Sequence, residues 1–326
     1  MKVSSIKKII FASILIAIII AFKPLFKFDD IEDSNTNLRR RIRYLAPNNA
    51  SIQTYLAILC LERSGSTWLT DLLNKNRGVQ ILAEPIGFLA TASKQNVNRT
   101  EAASIEVNTL ISKLSTVMNS STASLIGFNE KLLSSKFALP SQYPQLLQLS
   151  SYMQSKKFKV VILIRKNLFL QALSLIRANQ LAQACGDAAW SRVQQPGWEA
   201  LCGDALRALS VSPVPVEALR ENIEVVMRNT KQLLETAATL NLPHLVMYYE
   251  DLWLHTDESL QLLSLWTSHP LINTDTIYVK QSDTKISDIP NITDIRKFLH
   301  TFNPCLEAHV DSINPALSCL STRQDR

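Results

Sequence analysis

Residues 55–76 read YLAILCLERSGSTWLTDLLNKN, and this stretch decides the fold. Tyr55–Leu61 is a short apolar run with no alternation, the pattern of a strand buried on both faces. It stops abruptly at Glu62-Arg63-Ser64-Gly65. From Ser66 onward Trp68, Leu69, Leu72 and Leu73 recur at helical spacing, which predicts an amphipathic helix directly after the turn. A helix start leaves backbone N–H groups without partners and carries partial positive charge, so it suits an anion. Gly65 allows close backbone approach, while Ser64, Ser66 and Thr67 offer hydroxyls and Arg63 a forked guanidinium. The alternative is a capped helix with no ligand. The GxxxxGK[ST] spacing of a nucleotide-triphosphate loop is absent, as is GxGxxG.

The same architecture recurs downstream. Phe158–Ile164 (FKVVILI) is a second fully apolar strand, and it too ends in a basic turn, Arg165-Lys166-Asn167. A helical stretch, LFLQALSLIRANQLAQA, follows and carries Ser174. Arg165 or Lys166 together with Ser174 suits a second phosphate; a solvated basic turn is the alternative. His244–Tyr249 is a third strand, reached through a long amphipathic helix over Glu217–Leu240. VQILA before Glu84 is strand-like, residues near 101–118 and Leu260–Trp266 are helical, and 186–215 reads as a loop-like excursion. Strands alternating with helices predict an α/β fold around a parallel sheet.

Composition narrows the class. The 326 residues are 46% hydrophobic and 19% charged with 7 glycines, too apolar for a disordered chain. The formal charge is +6 and the pI near 9.0, which invites a nucleic-acid reading. Yet nine basic side chains (Lys2, Lys7, Lys8, Lys23, Lys27, Arg39, Arg40, Arg41, Arg43) and four acids fall in residues 1–50, for a net +5. The remaining chain is nearly neutral, so no nucleic-acid partner is expected.

Ile9–Phe22 has no charge, and an apolar stretch continues to Phe28 if Lys23 and Lys27 snorkel. With no small-x-small cleavage site after it, the segment reads as a retained signal anchor; a cleaved signal peptide and a buried helix are the alternatives. The expected layout is a basic tail over 1–8, the membrane helix over 9–28, a polar stem over 29–50, and a catalytic domain over 51–326. Cys60 sits in an apolar run as a buried thiol, while Cys185/Cys202 and Cys305/Cys319 are either two disulfides or reduced thiols. No cysteine spacing suits zinc. The sequons at Asn49, Asn98, Asn119 and Asn291 fit a secretory route.

Two anion-suited turns at the ends of two strands match a ligand phosphorylated at both ends. Here the sequence resembles the sulfotransferases that use 3′-phosphoadenosine 5′-phosphosulfate (PAPS). RSGSTWLTDLL is similar to their 5′-phosphosulfate loop and VVILIRKNLFLQALSLIRA to their 3′-phosphate motif. Arg63–Thr67, Glu84-Pro85, Arg165–Ser174, Tyr249-Glu250-Asp251-Leu252 and Lys285–Phe298 stand in the order found in the trehalose sulfotransferase branch of carbohydrate sulfotransferases. The resemblance implies a P-loop-like three-layer sandwich and sulfuryl transfer from PAPS, without a metal, to a hydroxyl of a carbohydrate or glycolipid. It implies Arg63 and Glu84 as catalytic groups, Glu84 being the base. It implies Arg63, Ser64, Gly65, Ser66, Thr67, Trp68, Arg165, Lys166 and Ser174 as nucleotide contacts. In many relatives the basic residue lies eight positions before the serine; here that is Lys166, with Arg165 nine away, so both remain candidates.

Glu250-Asp251 reads as an architectural pair that hydrogen-bonds loops near the site, with a metal or acid pair as the alternative. Lys131 is a candidate for the sulfate or a solvated lysine, and Trp190 and Trp198 line an acceptor site or pack in the core. The five histidines sit in no motif. With the anchor, the expected location is a single-pass membrane protein, its catalytic domain lumenal (Golgi in a eukaryote) or, in a bacterium, tethered to the inner membrane. The competing classes are a kinase-like phosphotransferase, which lacks its lysine here, and a glycosyltransferase, which lacks a D-x-D motif. A third is an inactive glycan-binding relative.

Overall fold

The computed structural model describes residues 53–83, 99–131, 144–186, 198–239, 242–273, 286–308, 310–311 and 317–320. The anchor, the stem, Glu84-Pro85 and Trp190 lie outside these residues. Among the described residues no helix is long and apolar enough to cross a membrane.

Five parallel strands form one sheet: β1 (Thr54–Cys60), β2 (Val79–Ala83), β3 (Leu125–Lys131), β4 (Lys159–Ile164) and β5 (His244–Tyr248), in the order β2-β3-β1-β4-β5. β1 is central because Leu56–Cys60 has no polar side chain to solvate; all five residues are fully buried. The chain leaves β1 through α1 (Ser66–Asn74) toward β2, on one side, and leaves β4 through α4 (Leu168–Cys185) toward β5, on the other. The ends of β1 and β4 are therefore the topological switch point, where connections diverge and open parallel sheets bind ligands.

Between these strands lie α2 (Arg99–Ser120), between β2 and β3, and α3 (Pro144–Ser155), between β3 and β4. After α4 come α5 (Trp198–Ser210), α6 (Val216–Thr239), α7 (Tyr249–Leu254), α8 (Thr256–Thr267), α9 (Ile292–Phe302) and α10 (Pro304–Ala308). Opposite crossover directions place α1 on one face and the later crossover helices on the other, given right-handed connections. Trp68 of α1 packs against Tyr249 and Trp253, which puts α7 with α1. On α4 and α6, Leu168, Phe169, Ala172, Ile176, Leu219, Ile223 and Val226 form one core with Ile295 and Leu299 of α9.

Two elements differ from the sequence expectation. Residues 186–215, expected to be an excursion without regular structure, contain α5; Pro196-Gly197 precedes the helix rather than interrupting it. β3 (LIGFNEK) was not legible as a strand because Gly127, Asn129 and Glu130 break its apolar run, yet all three are inside the sheet. Asn129 is satisfied there: its Nδ2 donates to Thr70 Oγ1 at 3.0 Å and its Oδ1 accepts from Cys60 Sγ at 3.2 Å. Cys60 is a buried thiol outside any disulfide, as expected. The other four cysteines form two disulfides, Cys185–Cys202 and Cys305–Cys319, with Cα separations of 5.7 and 5.5 Å. The sequon residue Asn291 has its amide engaged, donating to and accepting from the Val214 backbone.

Gly127 is required by space. A Cβ there would sit 2.2 Å from the Leu56 carbonyl oxygen and 3.0 Å from Ile81 Cδ1. Gly127→Ala is expected to destabilise the protein by about 3 kcal/mol through overpacking against backbone that cannot yield. Chemical denaturation checks this; an unchanged midpoint would contradict the tight β1–β3 packing.

Candidate functional site

The β1–α1 turn is shaped by two residues in left-handed backbone, Arg63 at φ 61° and Gly65 at φ 85°. A bulky residue there is uncommon and marks a conformation that its surroundings enforce. The turn is closed by Ser64, whose N–H and Oγ both donate to the Leu61 carbonyl, at 3.4 and 2.7 Å. Ser64 is fully buried, so its hydroxyl locks the turn. Gly65 cannot be replaced: a Cβ would come within 2.2 Å of the Tyr249 ring. Gly65 is also the N-cap of α1, with no side-chain cap, and the first helical bond runs from Leu69 N–H to the Gly65 carbonyl. The N–H groups of Ser66, Thr67 and Trp68 precede it and are the helix-start donors. Thr67 is exposed beside them and Ser66 is buried.

The β4–α4 turn is built differently. Asn167 caps α4, accepting from Leu170 N–H at 2.8 Å. The Glu250 carboxylate accepts from the N–H groups of Lys166 (2.8 Å) and Asn167 (3.1 Å) and lies 3.6 Å from Arg165 Nε. Asp251 pairs with Lys166 Nζ at 2.9 Å. The Glu250-Asp251 pair thus has the architectural role expected of it: it fixes the turn that carries both basic residues.

Three hydrogen bonds join the two turns. Arg63 Nε donates to Ser174 Oγ at 2.9 Å, Arg165 Nη1 to the Arg63 carbonyl at 3.4 Å, and Gln171 Nε2 to the Glu62 carbonyl at 2.8 Å. Arg63, Arg165 and Ser174 are therefore parts of one site. Lys166 turns the other way, to Asp251 and over the Tyr248 ring at 4.7 Å. Of the two basic candidates, the structure sets Arg165 beside the first turn.

Electrostatically this is an uncomfortable place for cations. Burial holds the Arg63 guanidinium below its ordinary pKa, and the nearby Arg165 lowers it further. Burial also lowers Arg165, against the opposing pull of Glu250 and Tyr249. Guanidiniums stay protonated even so, and an anion between them would offset both penalties. Tyr249, its phenol pushed up by burial, lies 5.0 Å from the Arg165 guanidinium and edge-on to Trp68. Trp68 is 8% exposed, and neither its Nε1 nor Arg165 Nε has a hydrogen-bond partner among the described residues. Buried donors left over at one site fit a bound acceptor.

Lys131 ends β3, half-buried, and Trp198 begins α5. His269 lies elsewhere, between Ser124 and the Arg77 carbonyl at the amino edge of the sheet. A cleft of about 570 Å³ lined by Lys75, Arg77, Gly78 and Ile272 opens at that same edge. Among the described residues no group of three or more His, Cys, Asp or Glu side chains is arranged to hold a metal. Sequence reading missed Gln171 and the Tyr249–Gly65 contact. A lone Gln on the apolar face LFLQALSL was the available signal for the first; nothing local signals the second.

No family model matches the chain, and no curated protein matches it by sequence. Among solved structures, the crystal structure of a sulfotransferase from Alicyclobacillus acidocaldarius is similar, with a TM-score of 0.43 and 11% identity over 82% of this chain and 98% of that one.

The two acids make separable contributions. Glu250→Ala strands two N–H groups and the Arg165 charge, and should lower stability by about 3–5 kcal/mol. Asp251→Asn, at a partly exposed pair, should cost about 1 kcal/mol or less. Thermal and urea unfolding of the two variants read this directly; equal effects would contradict the assigned roles.

Proposed function

We propose that this chain is a sulfotransferase that moves the sulfuryl group of PAPS to a hydroxyl of a carbohydrate or glycolipid. The observation that carries the reading is the Arg63–Ser174 hydrogen bond, which makes one site of two anion-suited turns at the sheet's switch point. The residues present fit a ligand phosphorylated at both ends: guanidiniums held below their ordinary pKa by burial, and N–H groups of Arg165 and Trp68 with no hydrogen-bond partner among the described residues. PAPS supplies an activated sulfuryl group and a phosphate leaving group.

The chain's own groups have distinct tasks. The α1 N–H groups and Arg63 face the 5′ end and hold the negative charge that grows on the leaving oxygen. Arg165 and Ser174 hold the 3′-phosphate. Lys166, in this reading, contributes charge at longer range from its pair with Asp251. Trp68 lines the nucleotide side through its buried indole N–H. A carboxylate takes the acceptor's proton, a role the sequence resemblance gives to Glu84.

The rest of the layout belongs to the same proposal: residues 9–28 anchor the chain in a bilayer and the stem over 29–50 carries the catalytic domain in an oxidising compartment. The disulfides Cys185–Cys202 and Cys305–Cys319 support that compartment. The acceptor site takes a glycan, not a nucleic acid, consistent with a body that is nearly neutral.

Adenosine 3′,5′-bisphosphate at a hundredfold excess over its Kd should stabilise the folded state by about 2.7 kcal/mol, seen as a raised Tm. Ser174→Ala should weaken that binding about tenfold by removing one charge-linked hydrogen bond. No Tm shift in the unaltered protein would sink the reading.

A further inference from the structure

Two of the sequons, at Asn119 and Asn291, fall among the described residues, and the structure separates them. Asn291 is the N-cap of α9, and its amide closes on the Val214 backbone: Nδ2 donates to the carbonyl at 2.8 Å and Oδ1 accepts from the N–H at 2.9 Å. A ring of two such bonds uses the Nδ2 hydrogen on the same side as Oδ1. A sugar on Nδ2 makes the amide secondary, and the trans preference of secondary amides puts the substituent on that same side. A glycan at Asn291 would therefore replace the hydrogen that the Val214 carbonyl binds.

Asn119 stands differently. It is the penultimate residue of α2, and both it and Ser120 are exposed. Ser121, the hydroxyl residue of this sequon, takes the chain out of the helix; its Oγ donates to Gln80 Oε1 at 2.6 Å and accepts from Ala123 N–H at 3.1 Å. Those bonds hold the turn into β3 and make no use of the Asn119 amide. α2 ends where β3 begins, at the amino edge of the sheet. The Arg63 and Arg165 turns leave the carboxyl edge, about 20 Å away along a strand of seven residues. A substituent at Asn119 therefore keeps clear of the candidate site.

We propose that Asn119 carries an N-linked glycan in the folded protein and that Asn291 does not; this rests on the reading of residues 9–28 as an anchor with the catalytic domain lumenal. The donor is an oligosaccharide carried on a polyprenyl pyrophosphate. A bond forms from Asn119 Nδ2 to the anomeric carbon of the first sugar, and the bond from that carbon to the pyrophosphate oxygen breaks, its electron pair leaving with the pyrophosphate. One Nδ2 proton passes to a base of the transferring enzyme. Transfer acts on the unfolded sequon as the chain enters the lumen, before Ser121 is committed to Gln80, and the exposed helix end then accommodates the sugar.

The test expresses the full chain, Asn119→Gln and Ser121→Ala in eukaryotic secretory cells and takes the monodisperse fraction in detergent. Peptide-N-glycosidase converts a glycosylated Asn to Asp, which peptide mass spectrometry reads site by site and so keeps Asn49 and Asn98 apart. The unaltered protein should show conversion at Asn119 and none at Asn291. Asn119→Gln and Ser121→Ala should each lose the mobility shift of one glycan, and Asn119→Gln should keep the same Tm shift with adenosine 3′,5′-bisphosphate. An unmodified Asn119, or a glycan on Asn291, overturns the proposal. Thiol alkylation before and after reduction says which part has failed. If Asn119 is bare while Cys185, Cys202, Cys305 and Cys319 are oxidised, the site is wrong and the lumenal reading stands. If Asn119 is bare and the four thiols are reduced, the lumenal reading falls with it.

Discussion

Two guanidiniums that burial disfavours and that repel one another are held together at the ends of adjacent strands. Arg63 and Arg165 are kept there by a frame that leaves them little choice. Arg63 sits in left-handed backbone in a turn locked by Ser64, with its Nε committed to Ser174. Arg165 is fixed by the Glu250 carboxylate, which simultaneously holds the next two backbone N–H groups, and its guanidinium stacks over Tyr249. Glu62 opposes the effect of burial at Arg63 and Glu250 opposes it at Arg165, while the adjacent start of α1 adds positive potential.

That arrangement depends on the sheet. Central β1 is apolar and fully buried from Leu56 to Cys60, and its neighbours β3 and β4 pair with it in parallel, so the carboxyl ends of all three fall along one edge. The β1 connection turns toward β2 and the β4 connection toward β5, opening the space into which both turns project. Tyr249 couples the last strand to the first turn: it follows β5, covers Gly65 and faces Trp68. The candidate site thus draws on the ends of three strands, β1, β4 and β5, although the segments that form it are far apart in sequence.

Much of this is legible in the amino-acid sequence. The apolar runs 55–61 and 158–164 announced buried parallel strands because nothing in them could be solvated. The abrupt basic turns announced helix starts suited to anions. The Glu250-Asp251 pair was legible as architecture from its place directly after a strand. What the sequence concealed are interactions between distant segments. β3 hides because Asn129 and Glu130 are polar yet buried, an environment only the neighbouring strands create. The partition between Arg165, beside Arg63, and Lys166, beside Asp251, depends on where α7 starts relative to β4, which spacing alone does not encode. The helix over 198–210 was obscured by the Pro-Gly pair before it and the proline-rich stretch after it.

The central claim is that both turns hold one bisphosphate. It is tested most directly by a double-mutant cycle on Arg63→Ala and Ser174→Ala, read as calorimetric Kd for adenosine 3′,5′-bisphosphate. A single site predicts non-additive losses, with a coupling of about 1 kcal/mol or more between residues in direct contact. Additive losses, or binding indifferent to Ser174, would contradict it.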